Sequence, residues 1–250
     1  MANFRNGIEF KVWGRYAMFT DPLTRIGGEK CSYHVPTYEA LKGIAKSIYW
    51  KPTFIWLVDE VRVMKGIRTQ TKGTKPLRYS KGGHELSIYT FLTGDRDPAT
   101  GDRGVEYQVR AHFEWNEHRR ELQQDRNEGK HFEIAKRMLD RGGRQDIFLG
   151  TRDCQGYVAP CEFGSGKGDY DGYEELTFGV MFHGFDYPDE TGVNQLVTRF
   201  WRPRMNNGVI RFVRPEQCSI RKTVRAMTPK LFGAGKNLLA VETETGSLEA

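Results

Sequence analysis

Hydrophobic and polar positions alternate from Ile8 to Gly14. Ile8, Phe10 and Val12 fall on one side and Glu9, Lys11 and Trp13 on the other, the two-residue period of a strand. After Pro36-Thr37 the period changes. Leu41, Ile44, Ala45 and Ile48 recur at helical spacing, and Lys51-Pro52 ends the helix, because the residue before proline avoids the α region. Thr53 to Lys65 is β-branched and aromatic and reads as a strand. Val105 to Trp115 alternates cleanly, with Val105, Tyr107, Val109, Ala111, Phe113 and Trp115 on one face. A second helix is predicted from Asn127, with Phe132, Ala135, Met138 and Leu139 inward, to the C-cap signal Gly142-Gly143. Ile147-Phe148-Leu149 resumes as a strand.

The order is β-α-β-β-α-β, that of the ferredoxin-like unit, a fold shared with many RNA-recognition modules. Beyond about residue 160 the pattern shows only short strand-like segments: Leu176–Phe182, Gln195–Trp201 and Val209–Val213. We therefore expect an α+β chain with a ferredoxin-like (RRM-like) domain over residues 1–160 and a smaller β-rich domain over 161–250. The tail from about Pro229 is polar and is expected to be poorly ordered and away from any site.

This topology brings distant residues together. Two helices antiparallel on one sheet face put the end of the first beside the start of the second. Tyr49 should then lie near Lys130 and His131. Asn127 is the expected N-cap, and the free N–H groups of the following turn, with Lys130, form an anion site. The positive end of the helix dipole favours a neutral His131 imidazole, able to take or give a proton near pH 7. Phenol, cation and imidazole could together cut RNA without metal or cofactor. The 2′-hydroxyl would attack the adjacent phosphorus while Lys130 stabilises the phosphorane.

Charge sharpens this picture. The 250 residues carry 38 Lys+Arg against 32 Asp+Glu, a net +6, but unevenly. Val61 to His84 holds seven basic residues (Arg62, Lys65, Arg68, Lys72, Lys75, Arg78, Lys81) and no acid, interleaved with glycines as in a long hairpin or loop. A second block, Arg199 to Lys230, has nine Lys/Arg against Glu216 alone, whereas Gly168 to Thr198 has seven acids and no Lys or Arg. Such a face attracts polyanions through phosphate contacts. Candidate contacts are Lys42, Lys46, Arg68, Lys72, Lys75, Arg78, Lys81 and Arg126, and charge alone also allows nonspecific DNA binding.

Other functions recede. No apolar run approaches the roughly 20 residues of a membrane span, and the N-terminus lacks a signal-peptide core, so a soluble cytoplasmic protein is expected. Cys31, Cys154, Cys161 and Cys218 have no zinc-knuckle spacing and read as reduced, buried thiols. Phe163 to Gly168 (FGSGKG) has Gly168 where a phosphate-binding loop needs Ser or Thr, and reads as a turn. Gly94 to Gly104 reads as an inserted hairpin tip.

Long contiguous segments carry a resemblance. Tyr16 to Pro52 (YAMFTDPLTRIGGEKCSYHVPTYEALKGIAKSIYWKP), Asp125 to Gly164 (DRNEGKHFEIAKRMLDRGGRQDIFLGTRDCQGYVAPCEFG) and Asn207-Gly208-Val209-Ile210 resemble the subtype I-C CRISPR-associated Cas5 family. The resemblance implies a RAMP-superfamily endoribonuclease that binds the stem-loop of CRISPR repeat RNA and cuts at the 3′ base of the stem. It would then stay on the crRNA 5′ handle, beside the backbone and large subunits of the type I-C interference complex. The alternative is a handle-binding subunit without catalysis. The family's catalytic tyrosine, in I-Y-W-K-P, falls on Tyr49, and its G-K-H pair on Lys130 and His131.

Overall fold

A computed structural model describes residues 6–24, 29–74, 87–96, 101, 103–233 and 237–241. Strand β1 (Gly7–Gly14) buries Ile8, Phe10 and Val12, as its alternation predicts. After the short β2 (Lys30–Cys31) comes helix α1 (Tyr38–Ile48). Thr37 caps α1, its hydroxyl accepting from the Ala40 N–H at 3.2 Å, and Tyr38, Leu41, Ile44, Ala45 and Ile48 line the buried face. Tyr49 leaves the helix in an extended conformation. Strand β3 (Phe54–Val63) follows, then the hairpin arms β4 (Arg68–Thr74) and β5 (Ser87–Thr93). Strand β6 (Val105–Trp115) runs antiparallel to both β1 and β3. A 3-10 turn (Arg120–Asp125) then leads into α2 (Glu128–Asp140). Gly142 and Gly143, at φ of 85° and 104°, close α2 by donating to the carbonyls of Leu139 and Met138.

The remaining elements are β7 (Ile147–Phe148), β8 (Gln155–Pro160), β9 (Leu176–Thr177), β10 (Met181–Asp186), α3 (Pro188–Thr191), β11 (Gln195–Trp201), β12 (Arg204–Asn206), β13 (Val209–Arg211) and β14 (Ile220–Ala226). The chain is α+β and strand-rich. One eight-stranded sheet has the order β7-β8-β1-β6-β3-β13-β12-β9, and two three-stranded sheets have the orders β10-β11-β14 and β2-β5-β4. Pairing is antiparallel throughout the large sheet, and only β2 and β5 pair in parallel among the described strands. Helix α1 packs against β3 and β10, and α2 against β1 and β8.

Four features depart from the sequence pattern or refine it. Ile147–Phe148 lies at the sheet edge, and Gln155–Pro160 is the strand that pairs with β1. The chain reverses after Leu149, whose carbonyl accepts from the Met18 N–H at 2.8 Å. Gly150 sits there at φ 98°, where a Cβ would come within 2.0 Å of the Met18 oxygen. Leu176–Phe182 is not one strand, because β9 and β10 belong to different sheets. Strands β9, β12 and β13 extend the same sheet as β1 and β3, so segments on both sides of residue 160 share it.

The glycine-rich 163–168 loop is a turn with Gly164 and Gly166 at positive φ. Its Ser165 and Gly166 carbonyls accept from the Arg62 guanidinium, so it presents acceptors to a cation. The basic hairpin has ordered arms in β4 and β5, while its tip with Lys75, Arg78 and Lys81 lies outside the described residues. In the 94–104 segment Arg96 bridges Arg103. Cys154 and Cys218 are buried and Cys31 and Cys161 half-buried, all four as free thiols. No helix among the described residues is long and apolar enough to cross a membrane.

Candidate active site

Tyr49 and His131 meet at the junction of the two helices. The Tyr49 hydroxyl lies 2.9 Å from His131 Nδ1, and both residues are fully buried. Each is fixed from several directions. The Tyr49 N–H donates to the Ala45 carbonyl at 3.1 Å, which finishes α1, and its carbonyl accepts from Trp56 Nε1 at 2.7 Å. His131 stands in the first turn of α2 because Asn127 caps that helix, its side chain accepting from the Lys130 N–H at 3.2 Å. Phe54, Phe113 and Trp115 surround the imidazole with ring centroids 5.2, 6.3 and 5.7 Å away.

The partners settle the tautomer. His131 Nε2 is 2.7 Å from the backbone oxygen of Asp125, an atom that can only accept. Nε2 therefore carries the proton, and in the neutral ring Nδ1 accepts from the Tyr49 hydroxyl. Phenol and imidazole form one hydrogen-bonded pair. Lys130 adjoins it, half-buried, through its place beside His131 on α2. The structure thus brings Tyr49 and His131 into contact, with Lys130 next to His131 in the chain.

A cleft of about 700 Å³ lies next to this junction, lined among others by Lys46, Trp50, Lys51, Arg119, Arg144 and Lys230, while Tyr49, Lys130 and His131 are not part of its wall. These five cations share the wall with the carboxylates of Asp189 and Glu190, which pair with Arg119 and Lys46, and the Trp50 indole is 38 % exposed. The C-terminal segment forms part of its wall, contrary to the expectation of a detached tail. Lys51 Nζ donates to the Leu239 carbonyl, Arg119 Nη2 to the Lys230 carbonyl at 2.5 Å, and the Val241 N–H to Asp125 Oδ1 at 2.5 Å. Phe232 packs edge-on against Trp50, and Leu238 and Val241 are buried. Two apolar anchors and main-chain hydrogen bonds hold a segment whose sequence is mostly polar.

The other candidate contacts are scattered. Lys46 lies in the cleft, its ammonium 2.9 Å from Glu190. Arg68 is exposed on β4 and paired with Asp95 at 2.8 Å. Lys72 lies 3.5 Å from the centroid of the Tyr16 ring, and hydrogen bonding to this ammonium lowers the Tyr16 pKa. Arg126 pairs with Glu117 at 3.0 Å and reaches the Asn116 carbonyl.

Lys42 corrects the sequence reading. It is 1 % exposed, with Nζ 2.5 Å from Glu190, because α3 and β10 cover the flank of α1 that periodicity marks as polar. Burial opposes charge on both partners. At Glu190 the two ammoniums of Lys42 and Lys46 overcome it and hold the carboxyl down at about 2. At Lys42 burial, helped by the neighbouring Lys46 ammonium, outweighs the carboxylates of Glu190 and Glu39 and lowers the pKa. Facing two cations, the Glu190 carboxylate stays ionised and holds the pair together as an ion pair.

Asp125, Thr53 and the tail were missed in the sequence. The only signal was local: Asp125 immediately precedes the Arg126-Asn127 start of α2.

A chain of this fold has relatives. The family model for "CRISPR-associated protein (Cas_Cas5)" matches residues 7–213, and the chain belongs to this Cas5 family, in its Cas5d branch. A protein of Mannheimia succiniciproducens named CRISPR pre-crRNA endoribonuclease Cas5d is 28 % identical over 223 residues, which cover 82 % of this chain and 94 % of the relative. A protein of the same name from Thermus thermophilus is 29 % identical over 202 residues, 78 % of this chain and 80 % of that one. Among solved structures, a crystal structure of a CRISPR-associated protein is similar at a TM-score of 0.69 and 35 % identity, covering 87 % of this chain and 96 % of that chain. A functionally uncharacterized protein, SMU1763c from Streptococcus mutans, has the same TM-score at 36 % identity, covering 87 % and 97 %.

Proposed function

We propose that this chain cuts CRISPR precursor RNA at its repeats, using Tyr49, Lys130 and His131 and no metal ion. The activity follows the two curated relatives, which are named pre-crRNA endoribonucleases. The observation that carries the assignment of residues is the 2.9 Å contact between Tyr49 and His131, 82 positions apart in the chain. The RNA supplies its own nucleophile. The 2′-oxygen bonds to phosphorus, the P–O5′ bond breaks, and the products end in a 2′,3′-cyclic phosphate and a 5′-hydroxyl. The 2′-hydroxyl proton leaves through the Tyr49–His131 pair, and a proton returns to the departing 5′-oxygen. Lys130 offsets the charge that builds on the phosphorane.

The substrate is read as the repeat stem-loop, cut at the 3′ base of the stem, with the protein remaining on the 5′ handle within an interference complex. The strand order β8-β1-β6-β3, antiparallel throughout, supports reading the part that mounts the site as ferredoxin-like.

Pure protein incubated with a repeat stem-loop in EDTA should cut it. RNA with hydrogen in place of the 2′-hydroxyl at the cut site should bind and stay intact. Cleavage of that deoxy RNA would sink the mechanism, and a need for added divalent ions would sink the metal-free reading. If RNA is bound tightly but never cut, the chain is a handle-binding subunit.

The basic hairpin is assigned to the RNA backbone. Neutralising Lys72, Lys75, Arg78 and Lys81 together should lower the slope of log affinity against log salt by about 3, at roughly 0.7–0.9 per phosphate contact. An unchanged slope removes the hairpin from the interface.

A further inference from the structure

We propose that Asp125 is a positioning residue for RNA cleavage, holding His131 in its reactive tautomer and balancing the positive charge that the ring acquires. The proposal rests on the reading of Tyr49 and His131 as the proton-transfer pair. Asp125 is 5 % exposed and reaches His131 in two ways. Its backbone oxygen accepts the Nε2 proton at 2.7 Å, and its carboxylate Oδ2 lies 3.7 Å from the same nitrogen. The carboxylate is itself held in place. Thr53 Oγ1 donates to Oδ2 at 2.6 Å and the Val241 N–H to Oδ1 at 2.5 Å. Both donors are neutral, so they orient the carboxylate without cancelling its charge.

The surroundings give that charge a purpose. When a proton passes from Tyr49 to Nδ1, the ring becomes a cation whose charge is shared with Nε2. Strands β3 and β6 surround it with the rings of Phe54, Phe113 and Trp115. Among the described residues, the Tyr49 hydroxyl from the end of α1 and the Asp125 carboxylate from the 3-10 turn are titratable groups beside it, and Lys130 precedes it on its own helix. The Asp125 carboxylate, 3.7 Å from Nε2, favours a proton on the ring.

Removing the carboxylate should therefore lower the pH at which His131 titrates. The direction is the same for either role. If His131 acts as base, the rising limb of the pH–rate profile moves to lower pH, and if it acts as acid, the falling limb does so. An opposite charge at this distance is worth about 1–3 pH units.

The test is single-turnover cleavage of a repeat stem-loop across pH by the full-length parent, Asp125→Asn and His131→Ala, with RNA affinity measured in parallel. Asp125→Asn is expected to bind RNA like the parent, to cut roughly 10- to 100-fold more slowly, as when the outer partner of a working histidine is lost, and to shift the limb to lower pH. A limb that stays in place in folded Asp125→Asn, while His131→Ala is inactive, overturns the positioning role and leaves the catalytic pair standing. If His131→Ala cuts as the parent does, the catalytic reading fails, and this proposal with it. A second readout needs no variant: ring-nitrogen NMR of the parent should find the neutral His131 protonated on Nε2, and a proton on Nδ1 overturns the proposal.

Discussion

Tyr49→Phe and His131→Ala should each reduce cleavage of repeat RNA by about 10²–10⁴ while RNA binding persists, the range expected when a general acid or base is lost. The phenylalanine variant is the cleaner of the two. It keeps the ring that packs at 5.7 Å from Phe54 and removes only the hydroxyl 2.9 Å from His131. A loss of rate there cannot be laid to a collapsed core. His131→Ala also empties a fully buried position ringed by aromatics, so its rate must be read beside its melting temperature. Because the two groups handle one proton, the double variant should be little slower than either single one. Multiplying losses would show that they act in separate steps. Parental cleavage by Tyr49→Phe would remove the phenol from the chemistry.

Lys42→Met should destabilise the protein by about 3 kcal/mol, the lower end of the cost of stripping one partner from a buried ion pair. Glu190 would remain buried with Lys46 as its neighbour, 2.9 Å away but more exposed than Lys42, which is why the lower end is expected. Adding Glu190→Leu should recover most of the loss, since a well-packed apolar replacement for a buried pair is often neutral. Urea unfolding of the parent, Lys42→Met and the double variant measures this, and equal midpoints for parent and Lys42→Met would refute it.

The same pair predicts a pH dependence. With the folded Glu190 carboxyl at about 2 and its ordinary value at 4.5, its contribution is complete above about 4.5 and fades as pH falls from there toward 2. Glu190→Gln should flatten the acid limb of stability in that window.

Local pattern carried much of the fold. The alternation of Val105–Trp115, the Thr37 cap and the Gly142-Gly143 stop all depend on residues within a few positions of one another, and their strand and helices stand where periodicity puts them. The meeting of Tyr49 and His131 was legible one level higher, because the order of elements constrains which helix ends adjoin.

What could not be read were contacts made by segments with weak patterns of their own. Lys42 looks like a solvent-facing residue until α3 and β10 pack over it, and nothing near it in sequence announces Glu190. The strand Gln155–Pro160 has only Gly156 and Val158 buried, too few positions to show a period. Asp125 acts through its backbone oxygen and through partners 72 and 116 residues away, which no local spacing encodes.

The C-terminal segment is fastened mainly by its peptide groups. The Lys230 and Leu239 carbonyls and the Lys230 and Val241 N–H groups make the ties to Arg119, Lys51, Asp189 and Asp125. Every residue type except proline brings these same groups. Side-chain identity between the few apolar anchors is therefore free to drift across generations without loosening the attachment, while the residues that receive it are not. The family match ends at residue 213, before this segment begins. A stretch of chain can thus be tied by its backbone to the surroundings of Tyr49 and His131 while lying outside the span that the family model matches.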